Sequence, residues 1–96
     1  MIERPLPYVI MADHRLEMLS NNRDVKLILV RNVSLSGGVE HVSYVMYIYV
    51  RDSVGWERAS TIYSYPSIDA CIEELSGVSD FSQAYAEIRN DKVLGR

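Results

Sequence analysis

Apolar residues recur with two different periods along this chain, and the change between them falls at Pro66. Between Val25 and Tyr65 they alternate or run together as strands do; from Ile68 to Ile88 they return every three or four residues. Val25 to Val33 is rich in β-branched and aliphatic residues. The Gly37-Gly38 pair after it supplies the positive φ angles of a two-residue hairpin turn. Val39 to Arg51 is the next strand, Asp52-Ser53-Val54-Gly55 a four-residue turn, and Trp56 to Tyr65 the strand after it. These segments predict an antiparallel meander.

Beyond Pro66, Ser67 is a good N-cap, Ile68, Cys71, Ile72 and Leu75 share one helical face, and Gly77 is a stop. Ser79 or Asp80 caps a second predicted helix, striped by Phe81, Ala84, Tyr85 and Ile88 and closed by Asn90-Asp91. Helices this short are unstable alone in water, so both must lie against a face of the meander. Ahead of the strands, Pro5 and Pro7 favour an extended start, and Tyr8 to Met11 reads as a short strand. Asp13 then reads as the cap of a short helix over residues 13–20, with Leu16 and Leu19 as its thin apolar edge. The expected architecture is α+β in two layers. It has a three-stranded meander, four-stranded if the first segment adds a strand, and two C-terminal helices on one face.

Strand alternation divides the meander into two faces. With a two-residue turn at Gly37-Gly38, Leu27 stands opposite Ile48, Leu29 opposite Met46 and Val33 opposite Val42. A four-residue second turn sets Tyr44 opposite Tyr63 and Ile48 opposite Ala59. One face then collects Val25, Leu27, Leu29, Val33, Val42, Tyr44, Met46, Ile48, Val50, Ala59, Thr61, Tyr63 and Tyr65, interrupted on the first of these strands by Arg31 alone, and is the expected core. The opposite face is more apolar than water favours. It holds Ile28, Val30, Val45, Tyr47, Tyr49, Trp56 and Ile62 beside Lys26, Arg51 and Arg58. Three occupants suit such a face: the segment Leu6 to Leu19 folded back over it, a second copy or another protein, or a single-stranded nucleic acid.

Composition narrows the class. Ninety-six residues make one domain, 1–96, and 48% hydrophobic with 24% charged residues is the balance of a folded globular chain. No apolar run is long enough to cross a bilayer as a helix. The first residues lack the build of a signal peptide, so a cytoplasmic setting is expected. The single cysteine leaves no internal disulfide and no multi-cysteine zinc site. A net charge of −3 argues against a dedicated duplex binder. The acids concentrate late: Asp69, Glu73, Glu74, Asp80 and Glu87 make the helical layer an acidic surface, of a kind that docks on a basic partner such as a nucleic-acid-binding protein. Seven tyrosines against one Phe and one Trp is the unusual count.

Catalytic motifs find little support. His14 and His41 have no metal-ligand spacing, and Asp13, His14 and Glu17 are better read as a solvated face. Cys71 sits on an apolar stripe with no basic neighbour in sequence. Ser36-Gly37-Gly38 is hairpin chemistry, and Glu73-Glu74 diverge around a helix instead of converging. The order helix, three strands, helix is superficially that of a double-stranded-RNA-binding domain, but these C-terminal helices lack its basic cluster. The expectation is therefore a non-enzymatic binding protein without cofactor or metal. Analogy alone places it among inhibitors and small regulators of the kind phages and mobile elements encode. It would act on a protein partner or as a homodimer through Tyr47, Tyr49, Trp56, Arg51, Arg58, Ile28, Val45 and Ile62. Single-stranded nucleic acid on the same face is the alternative.

Overall fold

The computed structural model describes residues 9–95. Four strands, β1 (Val9–Leu19), β2 (Val25–Ser36), β3 (Val39–Arg51) and β4 (Trp56–Tyr65), form one antiparallel sheet in the order β1-β2-β3-β4. Helix α1 (Ile68–Leu75), a 3-10 turn (Ser79–Phe81) and helix α2 (Ala84–Asn90) come next and cover one face. The chain is an α+β two-layer structure.

Residues 13–19 are strand, where the sequence suggested a helix over 13–20. Leu16 and Met18 alternate with Arg15, Glu17 and Leu19, so a two-residue period puts Met18 in the core at 1% exposed and leaves Arg15 and Glu17 in water. Asp13 is not a cap. It is the extra residue of a bulge, because the partners run Ala12–Asn32 and then His14–Arg31. One added residue exchanges the two faces of the strand, which turns His14 toward the helical layer.

The β2–β3 register is the expected one, from Leu27–Ile48 to Val33–Val42, closed by Gly37 and Gly38 at φ 59° and 79°. Both angles belong to the turn type whose twist matches the strands. The β3–β4 register differs. Tyr44 pairs with Tyr65 and Met46 with Tyr63, not Tyr44 with Tyr63. Between Tyr47–Ile62 and Tyr49–Arg58 the residues Ala59, Ser60 and Thr61 stand against Ile48 alone, so Ile48 has no single partner such as Ala59. Two extra residues preserve the alternation, and the face assignment survives the slip. Asp52 holds the turn between these strands by accepting from the Val54 and Gly55 amides at 2.8 and 3.1 Å.

The core lies over one half of the sheet. Met18, Leu27, Leu29, Met46 and Tyr65 meet Ile68, Cys71, Ile72, Leu75, Phe81, Ala84, Ile88 and Leu94. Ser67 caps α1 as expected, accepting from the Ala70 amide at 3.2 Å, a contact that contributes about 1 kcal/mol. The second helix does not start at Ser79 or Asp80; a 3-10 turn occupies that stretch, and α2 begins at Ala84 without a side-chain cap. Tyr85 leaves the expected stripe and points into water. Tyr63, Val50 and Thr61, expected in the core, are exposed, because two short helices cannot cover strands of up to 13 residues. The sheet therefore projects past the helices, and the principal extents are 57 × 33 × 20 Å.

Two polar clamps tie the layers together. Asn21, in the β1–β2 turn, donates its amide to the Asp80 carbonyl at 2.7 Å and its Nδ2 to the Ser79 carbonyl at 3.0 Å, and accepts from Ser82 Oγ at 2.9 Å. His14 Nε2 meets both carboxylate oxygens of Asp91, at 2.9 and 3.0 Å.

Candidate interaction interface

The face away from the helices gathers its residues in rows across the strands. Glu17, Ile28, Tyr47 and Ile62 form one row; Leu19, Lys26, Tyr49 and Arg58 form the next; Arg51 and Trp56 close the end. Direct antiparallel partners project to the same side, so these are side-chain neighbours. The structure thus places Tyr47, Tyr49, Trp56, Arg51, Arg58, Ile28, Val45 and Ile62 on one surface. They are not equally accessible. Ile28 is only 9% exposed and forms a floor, which leaves contact with any partner to the side chains around it. Trp56 and Ile62 are open at 37% and 46%.

The segment expected to fold back over this face does not do so within the described residues. Residues 9–19 pair in plane with β2 and widen the face instead. They bring Arg15 and Glu17 to its margin, where the two form an ion pair. Both were missed as face residues because the segment read as helical. The alternation Arg15-Leu16-Glu17-Met18 carries the signal. The remainder of that expectation, Leu6 to Tyr8, lies outside the described residues.

Cations cover the aromatic rings. Lys26 Nζ lies 4.6 Å from the centre of the Trp56 ring and 5.5 Å from that of Tyr49. Arg51 stands over Trp56 at 5.5 Å and Arg58 over Tyr47 at 5.8 Å. Contacts of this geometry contribute about 0.5–1 kcal/mol each at exposed sites. Arg51 also reaches Asp24 at 3.7 Å, whereas Lys26 and Arg58 form no ion pair among the described residues. A groove of about 550 Å³ runs beside these rings, lined by Arg15, Ile28, Val30, Tyr47, Tyr49 and Arg58 among others.

The other side of the molecule has the opposite sign. Asp69, Glu73 and Glu74 on α1, Asp80 in the 3-10 turn and Glu87 on α2 are all exposed. Of these, Asp69 is paired with Arg89 at 3.2 Å. The sheet separates this acidic layer from the cationic aromatic face.

The residues weighed for catalysis are engaged otherwise. Cys71 is fully buried, and burial, reinforced by the nearby Glu74 carboxylate, pushes its thiol up to about 11. A thiol of that pKa is not a ready nucleophile. His14 belongs to the clamp with Asp91, Glu17 pairs with Arg15, and Asp13 pairs with Arg31 at 3.1 Å. Among the described residues no three metal-ligating side chains converge, and no helix is long and apolar enough to cross a membrane. What the outer face offers chemically is recognition: flat aromatic area, an apolar floor and cations beside the rings. Comparison with protein-family models, curated proteins and solved structures returns no match to this chain.

Proposed function

We propose that this chain is a non-enzymatic binding module of the inhibitor or regulator type, acting in the cytoplasm through the outer sheet face. The observation that carries the reading is the aromatic ladder of Tyr47, Tyr49 and Trp56 bearing Lys26 and Arg58, which have no carboxylate partner among the described residues. Tyr, Trp and Arg around a desolvated apolar floor are the composition of protein–protein hot spots. The partner surface this face suits carries carboxylates beside an apolar group. The acidic helical side is a second surface, suited to a basic partner such as a nucleic-acid-binding protein. Capture of a partner by the full chain, followed by titration of the purified pair, tests the reading. Tyr47→Ala and Trp56→Ala each weaken binding by about tenfold or more if these rings are hot spots. Affinity untouched by both substitutions removes the outer face from the reading.

Single-stranded nucleic acid on the same face is the second reading, favoured by Lys26 and Arg58, which have no carboxylate partner among the described residues. Ring faces already covered by lysine and arginine are less open to stacking bases, which ranks it below a protein. It requires binding to an oligonucleotide that falls steeply with salt and weakens in Arg51→Ala and Arg58→Ala. No change in oligonucleotide anisotropy at low salt eliminates it.

A further inference from the structure

The two outermost strands of the sheet are finished differently. Both are bulged, β1 at Asp13 and β4 at Ala59 to Thr61, but β1 also carries Asp13, His14, Arg15 and Glu17, charges that discourage another strand from adding. In β4 the charges end at Arg58. Beyond it Ala59, Ser60, Thr61, Ile62, Tyr63, Ser64 and Tyr65 carry no charge and no proline, and Ile62 and Tyr63 stand 46% and 40% exposed on opposite faces. β4 ends the strand order, and among the described residues no strand pairs with its free side. Its bulge bends the strand, yet the backbone stays extended from Trp56 to Tyr65.

We propose that β4 is a self-association edge. It pairs antiparallel with β4 of a second copy about a two-fold axis through Ile62, joining two four-stranded sheets into one. The uncharged run is its own complement under that operation. Ser60 stands opposite Ser64, Thr61 opposite Tyr63, Ala59 opposite Tyr65, and Ile62 meets its own copy. Each pair shares a face, as antiparallel partners must, and no charge is set against a like charge. Packing two copies through the outer face instead sets two surfaces against one another that each carry Lys26, Arg51 and Arg58. A two-fold normal to the sheet keeps both outer faces on the same side. The dimer presents two cation–aromatic surfaces next to one another, whatever those surfaces bind.

Mass measurement by light scattering and sedimentation on the full chain tests this. The wild type is expected to reach double the 11.0 kDa monomer mass as concentration rises. Ser60→Lys with Ser64→Lys sets lysine opposite lysine at two places and weakens the dimer by about tenfold or more. Ser60→Glu with Ser64→Lys sets glutamate opposite lysine and restores it. Both positions are exposed, so circular dichroism is expected to match the wild type, as is the thermal midpoint at concentrations where both proteins are monomeric. Ile62→Cys forms a disulfide-linked dimer under mild oxidation, while Cys71 remains buried. A wild type that stays monomeric at every concentration overturns the proposal. A dimer indifferent to the paired lysines also overturns it, and its loss in Trp56→Ala would assign the contact to the outer face.

Discussion

Lys26 on β2 places its ammonium over the ring of Trp56 on β4, 4.6 Å from the ring centre, although β3 lies between the two strands. The long lysine stem spans the intervening row and is itself half-buried. One cation thereby joins three strands at the end of the sheet, with Tyr49 of β3 beneath it at 5.5 Å.

Lys26→Met, which retains the stem and removes the charge, is expected to cost about 0.5–1 kcal/mol by chemical denaturation. Lys26→Ala also uncovers Trp56 and shifts its emission to longer wavelength. Trp56 is the only tryptophan, so the spectrum reports on this face alone. An unchanged spectrum in Lys26→Ala would mean that the lysine does not cover the ring in solution.

Asp91 accepts from His14 and from the Val93 and Leu94 amides, each at 2.9 Å. Burial alone would raise its carboxyl. The Leu94 amide, His14 and the Val93 amide outweigh that and hold it below the ordinary value of 3.8. A depressed folded pKa stabilises the fold above the unfolded value and ceases to do so as pH falls through the folded one. Asp91→Asn is therefore expected to lose about 1–3 kcal/mol at pH 7. The difference from wild type should narrow below about pH 4. A constant difference from pH 7 to pH 2 would show that geometry, not charge, is what the substitution removes.

Tyr65 is 6% exposed, and its hydroxyl makes no hydrogen bond among the described residues. Burial, with the Glu74 carboxylate nearby but outside hydrogen-bonding geometry adding to it, pushes the hydroxyl well above the usual tyrosine range. Removing an unpaired buried hydroxyl relieves a desolvation cost, so Tyr65→Phe is expected to raise stability by about 1 kcal/mol. A loss of stability measured in urea would reveal a partner for that hydroxyl in solution.

At pH 8 the Cys71 thiol is expected to react with a disulfide reagent only as fast as the chain opens, since it is fully buried and its pKa is pushed up to about 11. The raised pKa also sets an alkaline limit. This contribution to stability is complete below the unfolded value near 9 and is lost as pH rises toward 11. Rapid stoichiometric labelling of the native protein would contradict the burial.

The strands from Val25 to Tyr65 and the first helix are legible because each carries a local signal. Gly37-Gly38 can adopt two positive φ angles, Asp52 can fold its side chain back on its own turn, and Ser67 can cap the helix that begins at Ile68. The outer face was legible for the same reason. Alternation in a strand fixes which residues share a side, and it tolerated even the two-residue slip opposite Ile48.

Local pattern by itself determined the meander, the helical layer, the burial of Cys71 and the gathering of Tyr47, Tyr49 and Trp56 on one side. Tertiary structure decided the rest, because the deciding contacts are distant in sequence. Residues 13–19 became a strand when β2 offered an edge to pair with, which short-range capping signals cannot report. Asn21, just past the stretch that reads as a short helix, became the anchor of the 3-10 turn some 58 residues away. Which residues of the expected core lie open, Val50, Thr61 and Tyr63 among them, depended on how little of a long sheet two short helices can cover.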